Sequence, residues 1–273
     1  MSESPETPLS SRVELSFELR VGEGTLKANV EVPAGKTSLT QILPIIQDFD
    51  TAIVGKAAQE AAAAGHSISC RAGCGACCRQ MVPLSIFEAE GLGEWFVTLP
   101  KARQRELEER FHRALVALGE AGVLQRLIEQ DWMSDIEAGL QVSVDYFHAK
   151  VACPFLEDES CSIHAIRPLS CREYLVTSPP ELCQDPSMND VTGVLLPLKG
   201  STALYRLGQQ LEREGRGWFP LIFLLAWAKK GLRPGEYFSG TGQEVLRLFI
   251  DQLATLPPAD EAEVLSAGFM QAT

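Results

Sequence analysis

The chain has few of the features that mark common enzyme and binding classes. No segment reads G-x-x-x-x-G-K-S/T, which removes the phosphate-cradling loop, and none reads H-E-x-x-H, which removes the helical zinc-protease pair. Basic residues are scarce: 24 Lys and Arg against 36 Asp and Glu give a formal charge of −12, with no long basic stripe to offset it. Such a surface repels phosphate backbones and anionic headgroups, so neither nucleic acid nor a membrane is expected as a partner. The longest apolar run, W-F-P-L-I-F-L-L-A-W-A from Trp218 to Ala228, is too short to span a bilayer, contains Pro220 and reads as a buried helix. The opening M-S-E-S-P-E-T-P-L-S-S-R offers neither the basic nor the apolar stretch of a secretory signal. The expected location is cytoplasmic, where thiols stay reduced.

What is present is a globular composition, 45% hydrophobic and 22% charged, at a length of 273 residues that needs no cross-links to fold. Residues 1–11 read as a disordered lead. Val13, Leu15, Phe17, Leu19 and Val21 then alternate with polar residues, and Leu26, Ala28, Val30 and Val32 do so again beyond Gly22-Glu23-Gly24. That period of two predicts a β-hairpin over 12–33 with one apolar face. From Ser38 the period becomes helical through Leu39, Leu43, Ile46, Phe49 and Ile53 until Gly65, with Pro44 predicting a start near Ile42 or a kink. Ser85 caps a short helix, Pro100 opens a longer one with a Leu107, Phe111, Leu115, Leu118 stripe, and 124–150 is helical. The last third, 200–273, is read as helices at about 201–214, 219–230 and 243–255, with a short one after Asp260. The expected fold is mainly α with an N-terminal β-hairpin, and with irregular cysteine-rich metal-binding segments between helices. One compact domain over 12–273 is expected, because the two cysteine-bearing segments should meet.

All eight cysteines fall between residues 70 and 183: Cys70, Cys74, Cys77, Cys78, Cys153, Cys161, Cys171 and Cys183. Buried thiols used only for packing would be scattered through the core. Cys74-x-x-Cys77 has the spacing at which two thiolates chelate one metal from a tight turn, which Gly73 and Gly75 permit. Prolines 154 and 168 stiffen the second group, and coordination across the helical insertion would close a long loop. The adjacent Cys77-Cys78 pair is awkward for one ion, since neighbouring side chains diverge. It points to two nearby centres, or to one ligand and one spare thiol. Arg79, Arg167 and Arg172 flank the cysteines, where guanidinium groups would favour thiolate and donate to sulfur. Disulfide pairing is disfavoured by the reducing setting.

The blocks C-x3-C-G-A-C-C, C-P-F-L, C-S-I-H and R-P-L-S-C-R-E-Y, in that order, resemble the CxxCxxCC or YkgJ-like cysteine-cluster proteins. These are described as zinc- or iron-chelating domains, sometimes as Fe–S oxidoreductases, and are related to the flagellin lysine methylase FliB. The resemblance covers residues 70–183 and implies that all eight cysteines are metal ligands or candidates for that role. It says little about 1–65 or 200–273. His164 stands where many members would carry Tyr, and is read as an aromatic replacement rather than a ligand; His66 and His148 are weaker candidates still.

Tetrathiolate chemistry suits zinc or an iron–sulfur cluster: two Zn(Cys)4 sites would use all eight cysteines, one [4Fe–4S] cluster only four. Cys70-x3-Cys74-x2-Cys77 also reproduces the radical SAM spacing. Ala76 replaces the usual aromatic before the last cysteine, however, and no run of strand–helix units follows residue 80. A nucleophilic Cys78 beside Arg79 lacks an evident general base. The reading is a metal-binding protein with an iron–sulfur cluster, [4Fe–4S], or zinc. It serves either as an Fe–S-dependent oxidoreductase or protein-modifying enzyme acting on a protein substrate or partner, or as a non-catalytic zinc-binding structural, sensor or metal-delivery module.

Overall fold

The computed structural model describes residues 11–21, 24–129, 131–211, 217–229 and 239–256. The lead at 1–10, the hairpin turn at 22–23 and the helix expected after Asp260 lie outside them. Strands β1 (Arg12–Val21) and β2 (Gly24–Pro33) pair antiparallel in full register, Leu19 facing Leu26 and Val13 facing Val32. Alternate residues of β2 turn inward, as the period of two requires. The hairpin's apolar face lies on helix α1 (Leu39–Ala63), where the Phe17 and Phe49 rings meet at 5.4 Å.

Three short strands recur as one device: each ends at a residue that caps the next helix. Strand β3 (Lys36–Ser38) leads into α1, β4 (Pro83–Ser85) into α2 (Ile86–Thr98), and β8 (Ser239–Thr241) into α9 (Gly242–Ala254). Ser38, Ser85 and Thr241 all have extended backbone, so each finishes its strand while its hydroxyl caps the helix in a reciprocal box with Gln41, Glu88 or Glu244. Strand β3 pairs with β8, and β4 with β7 (Trp218–Pro220), so long-range strand pairing sets the helix starts.

Helix α3 (Lys101–Glu120) follows Pro100 as expected and buries Leu107, Phe111 and Leu118, with Leu115 partly covered. Helices α4 (Leu124–Glu129) and α5 (Ile136–His148) fill the expected helical stretch, and α7 (Gly200–Leu211) packs on α9 and α2. One apolar core runs through these elements. The described residues therefore carry the expected mainly helical architecture with its N-terminal hairpin. Among the described residues no helix is long and apolar enough to cross a membrane.

Two local expectations change. The helix α1 begins at Leu39, not near Ile42, and carries Pro44 inside it at a solvent-exposed position. The capping box fixes the start ahead of the proline. The run Trp218–Ala228 is not one helix: its first three residues are β7, a 3-10 turn follows at Leu221–Phe223, and only α8 (Leu224–Ala228) is α-helical. The cause lies at Gly217, whose φ is +73° and where a Cβ would stand 2.6 Å from the Gln209 backbone nitrogen of α7. A backbone wedged this closely against α7 leaves as a strand, and Leu221 N–H closes the ribbon on the Val82 carbonyl at 2.8 Å.

Candidate metal centre

The cysteine-bearing backbone is irregular because its hydrogen bonds run between segments far apart in the chain. Ser69 donates its N–H to Val176 O at 2.9 Å, and Cys153 donates to Cys78 O at 2.7 Å, which docks the second cysteine group on the first. Within the first group, Gly73 has a φ of +81°, the Cys74 N–H reaches Arg71 O at 3.1 Å, and a single 3-10 turn spans Ala76–Arg79. Gly73 thus supplies the backbone freedom the sequence suggested. Gly75 serves differently: a Cβ there would run into the Glu159 carboxylate and stand 2.9 Å from Leu156 Cδ1.

That contact comes from the small hairpin β5 (Leu156–Glu157) and β6 (Ser160–Cys161), turned by Asp158 and Glu159 at φ of 47° and 56°. Arg79 clamps it, with Nη2 to Glu159 Oε1 at 2.7 Å, Nη1 to Oε2 at 3.0 Å, and Nη1 also to Gly75 O at 2.8 Å. From α3, Arg110 reaches Pro154 O at 2.9 Å and Glu157 at 3.1 Å, and Arg103 also binds Glu157. Phe155 anchors the base of the hairpin between Trp95 and Phe111.

Helix α6 (Leu169–Glu173) carries Cys171 and is pinned at both ends: Leu169 N–H donates to Glu88 Oε1 at 2.7 Å, and Glu173 accepts from Ser201 N–H at 2.8 Å. Cys183 sits in a 3-10 turn, Pro180–Gln184, and packs with Val176 and Val191, a small apolar cluster that Cys70, Ala76 and Tyr174 join. Cys153 and Cys161 pack instead against the main core.

All eight thiols are free. Burial is the largest cause that raises the thiols of Cys70, Cys153, Cys161, Cys171 and Cys183, and ionising Cys77 would raise each of them further. Burial holds Cys153 at about 12 and Cys183 at about 11, and it pushes Cys171 well up. Cys77 is raised chiefly by its hydrogen bond with Cys78, then by burial. These thiols stay protonated until something displaces the proton, which is what a thiophilic metal does. Among the described residues no three His, Cys, Asp or Glu side chains form a ready ligand set for one ion.

Of the three arginines singled out, Arg167 faces the thiols. Its charge opposes the rise at Cys70, Cys77 and Cys161, and its Nε is buried with no hydrogen-bond partner. A buried donor without an acceptor is costly, and a thiolate or bridging sulfide would satisfy it. The eight free thiols and this unpaired donor fit a metal or iron–sulfur group. Arg172 turns elsewhere, to the carbonyls of Arg167 and Ala165 and to Thr51 Oγ1 at 3.2 Å. His164 and His66 are exposed. His148 is engaged by Ser187 at 3.0 Å and Asp185 at 3.5 Å.

Sequence reasoning missed Tyr174, which receives a hydrogen bond from Gln80 at 3.1 Å beside Cys183 and Cys70. It also missed the buried carboxylates of Asp50, Glu88 and Glu173 behind α6. The R-E-Y that follows Cys171 was the available signal for Glu173 and Tyr174. A cleft of about 480 Å³ opens beside the first cysteine loop, lined by Cys74 with Arg71, Arg79, Lys150, Glu159 and Glu181.

No curated protein and no solved structure matches the chain. Residues 69–190, which hold every one of these cysteines, match the family model CxxCxxCC, described as a "putative zinc- or iron-chelating domain".

Proposed function

We propose that the two cysteine segments bind an iron–sulfur centre, with ligands drawn from the eight cysteines, and that the protein uses it in redox or modification chemistry. The observation that carries this reading is the cleft of about 480 Å³ with Cys74 in its wall. A metal site that only fixes a fold is closed on all sides, whereas one that acts on a ligand needs an opening beside a donor. An iron–sulfur centre would supply one-electron transfer or a Lewis-acidic iron. The chain's own contribution is to cover the thiols in part, Cys183 most fully, to offer Arg167 Nε to sulfur, and to brace the loops through Arg79 and Arg172. Free thiols at all eight positions suit a reducing, cytoplasmic setting, and a cleft lined by both charge signs suits a polar ligand such as a protein side chain.

The preference for iron–sulfur over zinc rests on the likeness to cysteine-cluster proteins described as Fe–S oxidoreductases. A second reading, a non-catalytic zinc module, is favoured by the enclosure of Cys153 and Cys171, which burial raises most directly. Anaerobic purification with metal and acid-labile sulfide analysis and a visible spectrum separates the two. Iron, sulfide and a broad visible band are expected. Stoichiometric zinc in a colourless protein would sink the cluster reading, and a metal-free protein with paired disulfides would sink both.

A further inference from the structure

Gly75 is glycine for a reason other than its own backbone. Its φ of −96° is open to any residue, yet a Cβ there would meet the Glu159 carboxylate and Leu156 Cδ1. The missing side chain leaves a gap on the first cysteine loop, and a carboxylate fills it. Arg79 completes the fit. Its Nη2 and Nη1 grip the two Glu159 oxygens at 2.7 and 3.0 Å, the paired geometry by which a guanidinium recognises a carboxylate. A third bond, Nη1 to Gly75 O at 2.8 Å, fixes the fork against the loop. The occupant is replaceable. Glu159 comes from the tip of the β5–β6 hairpin, where it and Asp158 both take a positive φ that glycine or asparagine would favour. Its side chain is 50% exposed, so another anion can reach the pair.

The surroundings favour an anion. The protein carries −12 overall, yet the cleft of about 480 Å³ beside this pair gathers Arg71 and Lys150 with Arg79, against the carboxylates of Glu159 and Glu181. Lys150 is held over the Phe147 ring at 4.0 Å and donates to Gln184 O at 2.8 Å. The Arg71 side chain is exposed and has no ion pair among the described residues. With Glu159 swung aside, three cations would face one carboxylate, and such a cleft concentrates small anions. We infer that Arg79 and the gap over Gly75 form a binding site for a small dicarboxylate, and that Glu159 fills this site in the resting protein. One carboxylate of the ligand takes the place of Glu159 on the Arg79 fork, and the other meets the uncommitted Arg71. A cleft of this volume accepts a small molecule. The inference rests on the reading of the cleft as a ligand site and deepens it, by naming the ligand's charge and the group it displaces.

The test is calorimetric titration with succinate at constant ionic strength, on the protein as purified anaerobically, with metal and sulfide measured on the same sample. Glu159→Gln should bind succinate at least about fivefold more tightly than wild type, because the site no longer occupies itself. Adding Arg79→Lys to Glu159→Gln should weaken binding by about tenfold, since the charge is kept and the fork is lost. Arg71→Gln, a change on the exposed surface, should weaken binding several-fold in the otherwise wild-type chain. Glu181→Gln should not weaken it. Equal affinity in wild type and a Glu159→Gln protein of native far-UV circular dichroism overturns the inference. So does undiminished binding after Arg79→Lys or Arg71→Gln, or inorganic phosphate bound more tightly than succinate. Succinate binding by a metal-free protein would leave this inference standing and sink the metal reading. A metal-loaded protein that fails these titrations loses the dicarboxylate site alone.

Discussion

Replacing Glu88 by alanine removes one carboxylate that closes two helices at once. Its Oε2 accepts the Ser85 N–H at 3.0 Å and the Ser85 hydroxyl at 2.7 Å, completing the cap of α2, while Oε1 accepts the Leu169 N–H at 2.7 Å and starts α6. Glu88 is 1% exposed, so water cannot replace it. Two buried N–H groups would lose their acceptor, at roughly 1–3 kcal/mol each. Against this, the variant is spared the burial that raises the Glu88 carboxyl, so a net loss of about 3–4 kcal/mol is expected. With an m-value of about 3 kcal/mol per molar urea, the midpoint should fall by about 1 M. The assay is urea unfolding of the metal-free, reduced protein, followed by tryptophan fluorescence. The exposed box of Thr241 and Glu244 is the internal control, because the same bonds there lie open to water. Since α6 carries Cys171, Glu88→Ala should also release bound metal to a chelator faster than wild type. A midpoint shift under about 0.3 M, or an equal shift from Glu244→Ala, would refute the reasoning.

Asp50 gives a pH signature. Burial first, and then the Glu173 charge, raise its carboxyl well above the usual range, and Arg172 only partly opposes this. As a carboxylate it has no hydrogen-bond partner, whereas once protonated it has Glu173 as an acceptor. The folded state therefore keeps a proton that the unfolded chain releases, and stability should fall as pH rises from the ordinary aspartate value towards the raised one. Asp50→Asn should flatten that slope in melting temperatures taken from pH 4 to 8, and an unchanged slope would count against a protonated Asp50. Gly217→Ala should cost at least about 3 kcal/mol and sharply reduce soluble yield, because the added Cβ meets the α7 backbone at a positive φ; a wild-type unfolding midpoint would contradict it. Glu159→Gln breaks the Arg79 clamp in a half-exposed setting, so global stability should change by less than about 1 kcal/mol. Metal release to a chelator should quicken several-fold, since the first cysteine loop loses its hold on the β5–β6 hairpin. An unchanged release rate would remove the bracing role assigned to Arg79.

Elements under local control were legible from the residues alone. The β1–β2 hairpin and the α3 stripe followed from side-chain period, and the start of α2 from Ser85, because each is decided within a few residues. The presence of a metal-type cysteine set was likewise legible, since thiols at chelating spacing are a chemical fact of the chain. The tertiary structure decided the rest. An apolar run such as Trp218–Ala228 has no period to choose strand or helix, and the contact of Gly217 with α7 chose strand for its first residues. Arg167 and Arg172 look alike beside Cys171 in sequence, yet only Arg167 is left with an unpaired donor near the thiols, while Arg172 is consumed by carbonyls and Thr51. The docking of the two cysteine segments depends on hydrogen bonds such as Cys153 to Cys78 and Ser69 to Val176. Irregular backbone takes its shape from partners distant in the chain, and no local pattern encodes them.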